Sequence, residues 1–95
     1  GKVALKDLLF FFRRSSTMLE AAVPMVQTLG TMANQAKNPK FAGIVREMQT
    51  DVESGRPMSF AMQRYPEVFN SVIVSMVRAG EEGGFLDRAL ADVAD

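Results

Sequence analysis

Gly80 lies in the middle of what otherwise reads as an apolar helix face, and that one position narrows the possible folds more than any other. Ser71 to Asp87 runs SVIVSMVRAGEEGGFLD. Wound at 100° per residue, the stretch places Val72, Ile73, Met76, Val77 and Ala79 on one broad face with Gly80 at its centre. Glycine inside a helix costs about 1 kcal/mol relative to alanine. The cost is tolerable where a missing Cβ lets a second helix backbone come close. Glu81 and Glu82 follow at the helix end, where the dipole disfavours carboxylates. Gly83 and Gly84 can supply the positive φ that stops a helix. Phe85, Leu86, Ala89, Leu90 and Val93 then begin a new apolar stripe. The stretch predicts a helix, a tight corner and a helix, with the acids facing the start of the second helix.

The remainder of the chain is punctuated in the same way. Leu5, Leu8, Phe11, Phe12, Met18, Leu19 and Ala22 share one arc of a first helix over 5–22. Ser15 sits inside that arc and is expected to bond the carbonyl four residues back. Val23-Pro24 breaks that helix, because proline disfavours a helical residue before it and suits the first turn of the next. Met25, Val26, Leu29, Met32, Ala33 and Ala36 then line a second helix over 24–36. Asn38-Pro39 is another break. Phe41, Ile44, Val45, Met48 and Val52 give the cleanest amphipathic pattern, a third helix over 39–53 that Ser54-Gly55 ends. Ser59 is expected to cap a short fourth helix over 59–64, which Tyr65-Pro66 closes. Val68 and Phe69 are expected to enter the core from a loop. Asn70 or Ser71 then caps a fifth helix over 71–82, and a sixth runs over 85–95. With no period-two alternation, the prediction is all-α: a six-helix bundle of antiparallel helices with short turns, forming one domain over 1–95.

Composition narrows the chemistry. Ninety-five residues suffice for one modest core. Eleven basic and eleven acidic residues leave no net charge, which argues against a nucleic-acid partner, since that would need a basic surplus. The chain has no cysteine and no histidine, so it lacks thiol chemistry, the commonest general base and the commonest metal ligand. No run approaches the roughly 20 apolar residues of a membrane span. No signal peptide is visible at the start. The apolar stripe still running at Asp95 predicts a domain cut from a longer protein. The seven methionines fall mostly on apolar faces and read as core filling.

Few residues remain as functional candidates. Glu81 and Glu82 are the only concentrated polar feature. They point about 100° apart on a helix and form no tight dyad. Glu82 can reach Arg78 one turn earlier. The structural reading is that Glu81 completes the corner by bonding backbone N–H groups or an arginine. The competing reading is a divalent-cation-regulated ligand-binding module using Glu81, Glu82 and Asp87, which would need several converging oxygens. The double glycine lacks the lysine and the preceding strand of a phosphate loop. No nucleophile–base pair exists, so an enzyme is not expected, and no cofactor is implied. Phe10 projects among Arg13, Arg14, Thr17 and Glu20. Phe10, Arg13, Arg14 and Phe60 are the candidate interface residues. Pro24, Gly55, Pro66, Gly80, Glu81 and Gly83 are the candidate structural positions.

These residues, taken in order, resemble the cytoplasmic domain of the type II secretion system F family. The resemblance runs from about Lys6 to Asp95. Phe11 and Arg13 precede Met18-Leu19-Glu20-Ala21. Val23-Pro24-Met25 follows, with Gln27 and Leu29, then Asn38-Pro39. Glu53, Gly55, Met58 and Ser59 come next, then Tyr65-Pro66 with Phe69. The set closes on Met76-Val77-Arg78-Ala79-Gly80-Glu81, Gly83 and Leu86-Asp87. Ala22 stands where the family usually has glycine, Ser15 where it has leucine, Phe60 at a commonly polar place, and Asn70 where proline is frequent. The resemblance implies a non-enzymatic helical domain on the cytoplasmic face of a bacterial inner membrane, within a multi-pass parent. The implied partners are an assembly ATPase, other inner-membrane assembly proteins and pilin or pseudopilin, and the parent would carry a second copy of the domain. The domain itself is expected to form a homodimer or to self-associate weakly, with apolar outer residues such as Phe10 and Phe60 as candidate contacts.

Overall fold

Three of the helices end in the same hydrogen-bonded stop, and those stops set the path of the chain. The computed structural model describes residues 1–95. Helix α1 spans Leu5–Glu20, α2 Met25–Gln35, α3 Pro39–Glu53, α4 Met58–Gln63, α5 Ser71–Gly83 and α6 Leu86–Ala94. After α3, Gly55 takes φ 101°, with its N–H on the Val52 carbonyl and that of Arg56 on Asp51. After α5, Gly84 takes φ 76°, and Phe85 donates to the Gly80 carbonyl at 2.8 Å. After α1 the left-handed position falls on Ala22, at φ 66°. Ala22 donates to Leu19 at 2.9 Å and Val23 to Met18 at 3.0 Å. This pairing relieves the last carbonyls of a helix and normally calls for glycine.

Helix starts depend on different residues. The Asn38 side chain accepts from the N–H groups of Lys40 and Phe41 and donates to the Lys2 carbonyl. Pro39 follows as the first helical residue, where its missing N–H costs nothing. Asn70 accepts from the Ile73 N–H at 2.9 Å. Pro24 stands just before α2 rather than inside it, with ψ at 149°. The Asp7 carboxylate accepts from the Ala4 N–H at the start of α1.

Each helix packs on its chain neighbours, and α6 returns onto α1, so the six helices close a ring. At its centre are Phe11 and Phe12 from α1, Phe41 from α3, and Phe69 from the loop before α5. Their rings meet edge to face, Phe11 on Phe12 at 5.2 Å, Phe11 on Phe41 at 5.5 Å and Phe12 on Phe69 at 6.0 Å. Such pairs add about 0.5–1.5 kcal/mol each beyond burial. Leu29, Val45, Met48, Met62, Val77 and Leu90 are fully buried around them. No helix is long and apolar enough to cross a membrane.

Several expectations are corrected. Ala22 is an exposed turn residue, not part of the α1 face, because the helix ends at Glu20. Leu5 is 70% exposed, as the first residue of α1. The buried face of α5 is Val74, Val77 and Gly80, with Val72 and Ala79 outside. The helix is rotated so that Gly80 meets α6, and this turns Val72 to solvent. Phe85 is likewise half out, its ring lying over Gly83. Ser15 is fully enclosed, yet its Oγ makes no hydrogen bond, and Thr28 Oγ1 is in the same state. A buried orphan hydroxyl costs about 1–3 kcal/mol, which the packing around it must offset.

Candidate interaction surfaces

The local sequence rule for α4 fails in an informative way. Ser59 does not cap its own helix. Met58 already begins α4, and Ser59 is a buried residue of its first turn. Its backbone N–H donates to Glu81 Oε2 at 2.9 Å, and its hydroxyl donates to Glu81 Oε1 at 2.6 Å. The free N–H groups at the start of a helix need an acceptor. Here the acceptor is a carboxylate from the last turn of α5. The two acids were expected to face the start of α6. Glu81 instead faces the start of α4, because the corner at Gly84 carries α6 away across Gly80. Glu82 stays exposed and makes no ion pair with Arg78; the cation lies N-terminal to the acid, the weaker order for such a pair.

Gly80 is the contact point between α5 and α6. A Cβ built there would lie 2.6 Å from Ala89 Cβ, 3.0 Å from Leu86 Cα and 3.3 Å from the Phe85 carbonyl oxygen. Two of those three atoms are backbone and cannot swing away. Gly83 is helical, and a Cβ there would run into the Phe85 ring. The positive φ of this corner belongs to Gly84. Pro66 follows Tyr65, whose carbonyl accepts from both Val68 and Phe69 and so turns those two side chains into the core.

An open cleft of about 630 Å³ forms beside Glu81, where ends of all six helices meet. Leu19, Met25, Met58 and Leu86 supply apolar walls, and Arg56 and Asp87 supply charge. Asp87 therefore shares a cleft with Glu81, but both Glu81 oxygens are engaged by Ser59. No group of three acids converges to hold a metal ion anywhere in the chain.

Two of the three exposed phenylalanines, Phe10 and Phe60, carry arginines. Phe10 is 44% exposed with the Arg14 guanidinium 5.5 Å from its ring centre. Phe60 is 37% exposed with Arg56 at 4.5 Å. Arg13 is exposed and points to the end of α6, donating to the Ala94 carbonyl at 3.4 Å and lying 3.5 Å from the Asp95 carboxylate. Arg64 pairs with Asp51 at 2.7 Å, which raises the guanidinium above its ordinary pKa. Burial pushes the neighbouring Tyr65 phenol up, with Arg64 opposing that shift.

Sequence reasoning missed two features here. The Ser59–Glu81 pair spans 22 residues and leaves no local signal. The Arg56–Phe60 stack had one, an (i, i+4) spacing, but Arg56 precedes α4 and a helical spacing could not be assumed.

Known proteins give an independent measure. Residues 11–95 match the family model described as type II secretion system protein F. The chain is 38% identical over 94 residues to the type IV pilus assembly protein PilC of Myxococcus xanthus, covering 99% of the chain and 22% of that protein. It is 40% identical over 90 residues to PilC of Thermus thermophilus, covering 95% and 22%. It is 30% identical over 93 residues to type II secretion system protein F of Vibrio cholerae, covering 98% and 23%. The chain thus spans between a fifth and a quarter of the length of these relatives.

Proposed function

The chain belongs to the type II secretion system protein F family, and from that premise we propose that it is a non-enzymatic scaffold and interaction domain of an inner-membrane platform protein. Its parent works in type IV pilus biogenesis or type II secretion. The domain stands on the cytoplasmic side and couples an assembly ATPase to the growth of a pilin or pseudopilin fibre. Identities of 38% and 40% to pilus assembly proteins, against 30% to a secretion protein, favour the pilus branch.

The observation that carries this reading is the pair of arginine-backed phenylalanines, Phe10–Arg14 and Phe60–Arg56. Aromatic and arginine side chains are enriched at protein interfaces and dominate their energetics. An exposed ring already covered on one face by a guanidinium gives up less freedom when a partner closes over it. Self-association through one of these faces is part of the proposal.

Phe10→Asp and Phe60→Asp test it at two levels. In the isolated chain both variants keep the wild-type melting temperature, because neither ring is in the core, and at least one sediments with a smaller weight-average mass than wild type. In the parent protein at least one abolishes fibre assembly at unchanged protein level. Wild-type sedimentation and wild-type assembly with both variants would overturn the proposal.

A further inference from the structure

Six of the seven arginines are exposed, and Arg78 is the exception. Arg78 is partly buried as a residue, and its guanidinium forms neither of the chain's two ion pairs and none of its three arginine–aromatic stacks, and no side-chain hydrogen bond reaches it. Glu81, three residues on, is held by Ser59. Glu82, four residues on, faces solvent. The guanidinium therefore has no counter-ion within the chain, and its fork of donors is left for an anion from outside.

The surroundings of Arg78 say what that anion would be. It lines a cavity of about 210 Å³ with Gln63, Ser71, Ser75, Phe69 and Val74. No acid lines this cavity. Neither serine hydroxyl nor the Gln63 amide takes part in any side-chain hydrogen bond within the chain, so three neutral donors and a guanidinium stand unengaged around one hollow. A volume below the roughly 300 Å³ at which small-molecule sites begin suits the tip of one side chain. The guanidinium fork matches a carboxylate bidentately, and the hydroxyls can complete its remaining lone pairs. We propose that this cavity is a receptor for a single carboxylate side chain, glutamate or aspartate, presented by a protein partner. That the carrier is a protein rests on the proposed assembly role; the carboxylate chemistry does not.

The test uses the 95-residue chain and three probes: N-acetyl-glutamate amide, N-acetyl-glutamine amide and inorganic phosphate. The readout is the Arg78 Nε–H resonance. The glutamate derivative should shift it saturably in the millimolar range, and the glutamine isostere should not. Arg78→Lys should weaken the response at least about tenfold by removing the fork, and Ser75→Ala should weaken it less. Both variants must keep the wild-type backbone spectrum; the comparison of probes on the wild type stands without them. No saturable shift, an equal shift with the glutamine derivative, or tighter binding of phosphate than of carboxylate each overturns the receptor. Such a result leaves the proposed function untouched, and the Phe10 and Phe60 variants test that function without reference to Arg78.

Discussion

The Glu81 carboxylate accepts the Ser59 hydroxyl at 2.6 Å and the Ser59 backbone N–H at 2.9 Å, so the last turn of α5 caps the first turn of α4. α4 has only six residues, too few to be stable by itself. A charged acceptor at its N-terminus favours the helix through the dipole and through the hydrogen bonds. The same carboxylate is unfavourably placed at the end of its own helix, and Ser59 offsets that cost. One side chain therefore fixes both the short helix and the lip of the 630 Å³ cleft.

Glu81→Gln should lower stability by about 1–3 kcal/mol, since charge-assisted bonds are replaced by one neutral acceptor and one misplaced donor. Ser59→Ala removes only the hydroxyl bond and should cost less. In a thermal double-mutant cycle the two effects should fall well short of additive, because they break the same contact.

Gly80→Ala sets a helix-propensity gain of about 1 kcal/mol against a Cβ forced to 3.0 Å from the Leu86 backbone. Overpacking of this kind costs about 1–3 kcal/mol, so the variant should melt lower, by about 4–8 °C for each net kcal/mol lost. Gly80→Leu should not fold. Unaltered melting in either variant would show that α5 and α6 do not meet as described.

Ala22→Gly should stabilise the protein. Ala22 holds φ 66° in a helix stop whose counterparts after α3 and α5 are both glycine. The left-handed region costs an L-residue about 1–2 kcal/mol, and glycine's greater unfolded-state freedom returns about 0.5–1 kcal/mol of that. A rise in melting temperature of a few degrees, with no change in the spectrum of the core, is the expected outcome.

Tyr65 predicts a loss of stability at alkaline pH. Burial raises its pKa above the ordinary 10.0 in the folded state. The unfolded chain then releases the phenolic proton first as pH rises. Its contribution is complete below pH 10 and is lost as pH climbs through the raised value. Tyr65→Phe should flatten denaturant midpoints measured across that range. An unchanged alkaline slope in the variant would assign the effect to other groups.

Much of the architecture is written in local chemistry. Asn38 and Pro39 start α3 through a side-chain cap and a proline that needs no N–H, and the stripe from Phe41 to Met48 assigns its buried face. Gly55 and Gly84 stop helices because only a residue without Cβ takes their φ freely. Signals of that kind act within one turn, so a sequence displays them. Ala22 shows their limit: its left-handed φ goes with the hydrogen-bonded stop that ends α1, and nothing in alanine announces it.

The number of helices, their breaks and the apolar stripes of α2, α3 and α6 were settled by the chain itself, because propensity, capping and periodicity act between residues a few positions apart. What Glu81 holds, which way α5 rolls so that Val72 is exposed and Val74 buried, and which cavity Arg78 faces were decided only when the helix ring closed. Those outcomes depend on contacts between residues far apart in sequence, and a hydrogen bond or a desolvated charge has no partner until packing brings one within about 3 Å.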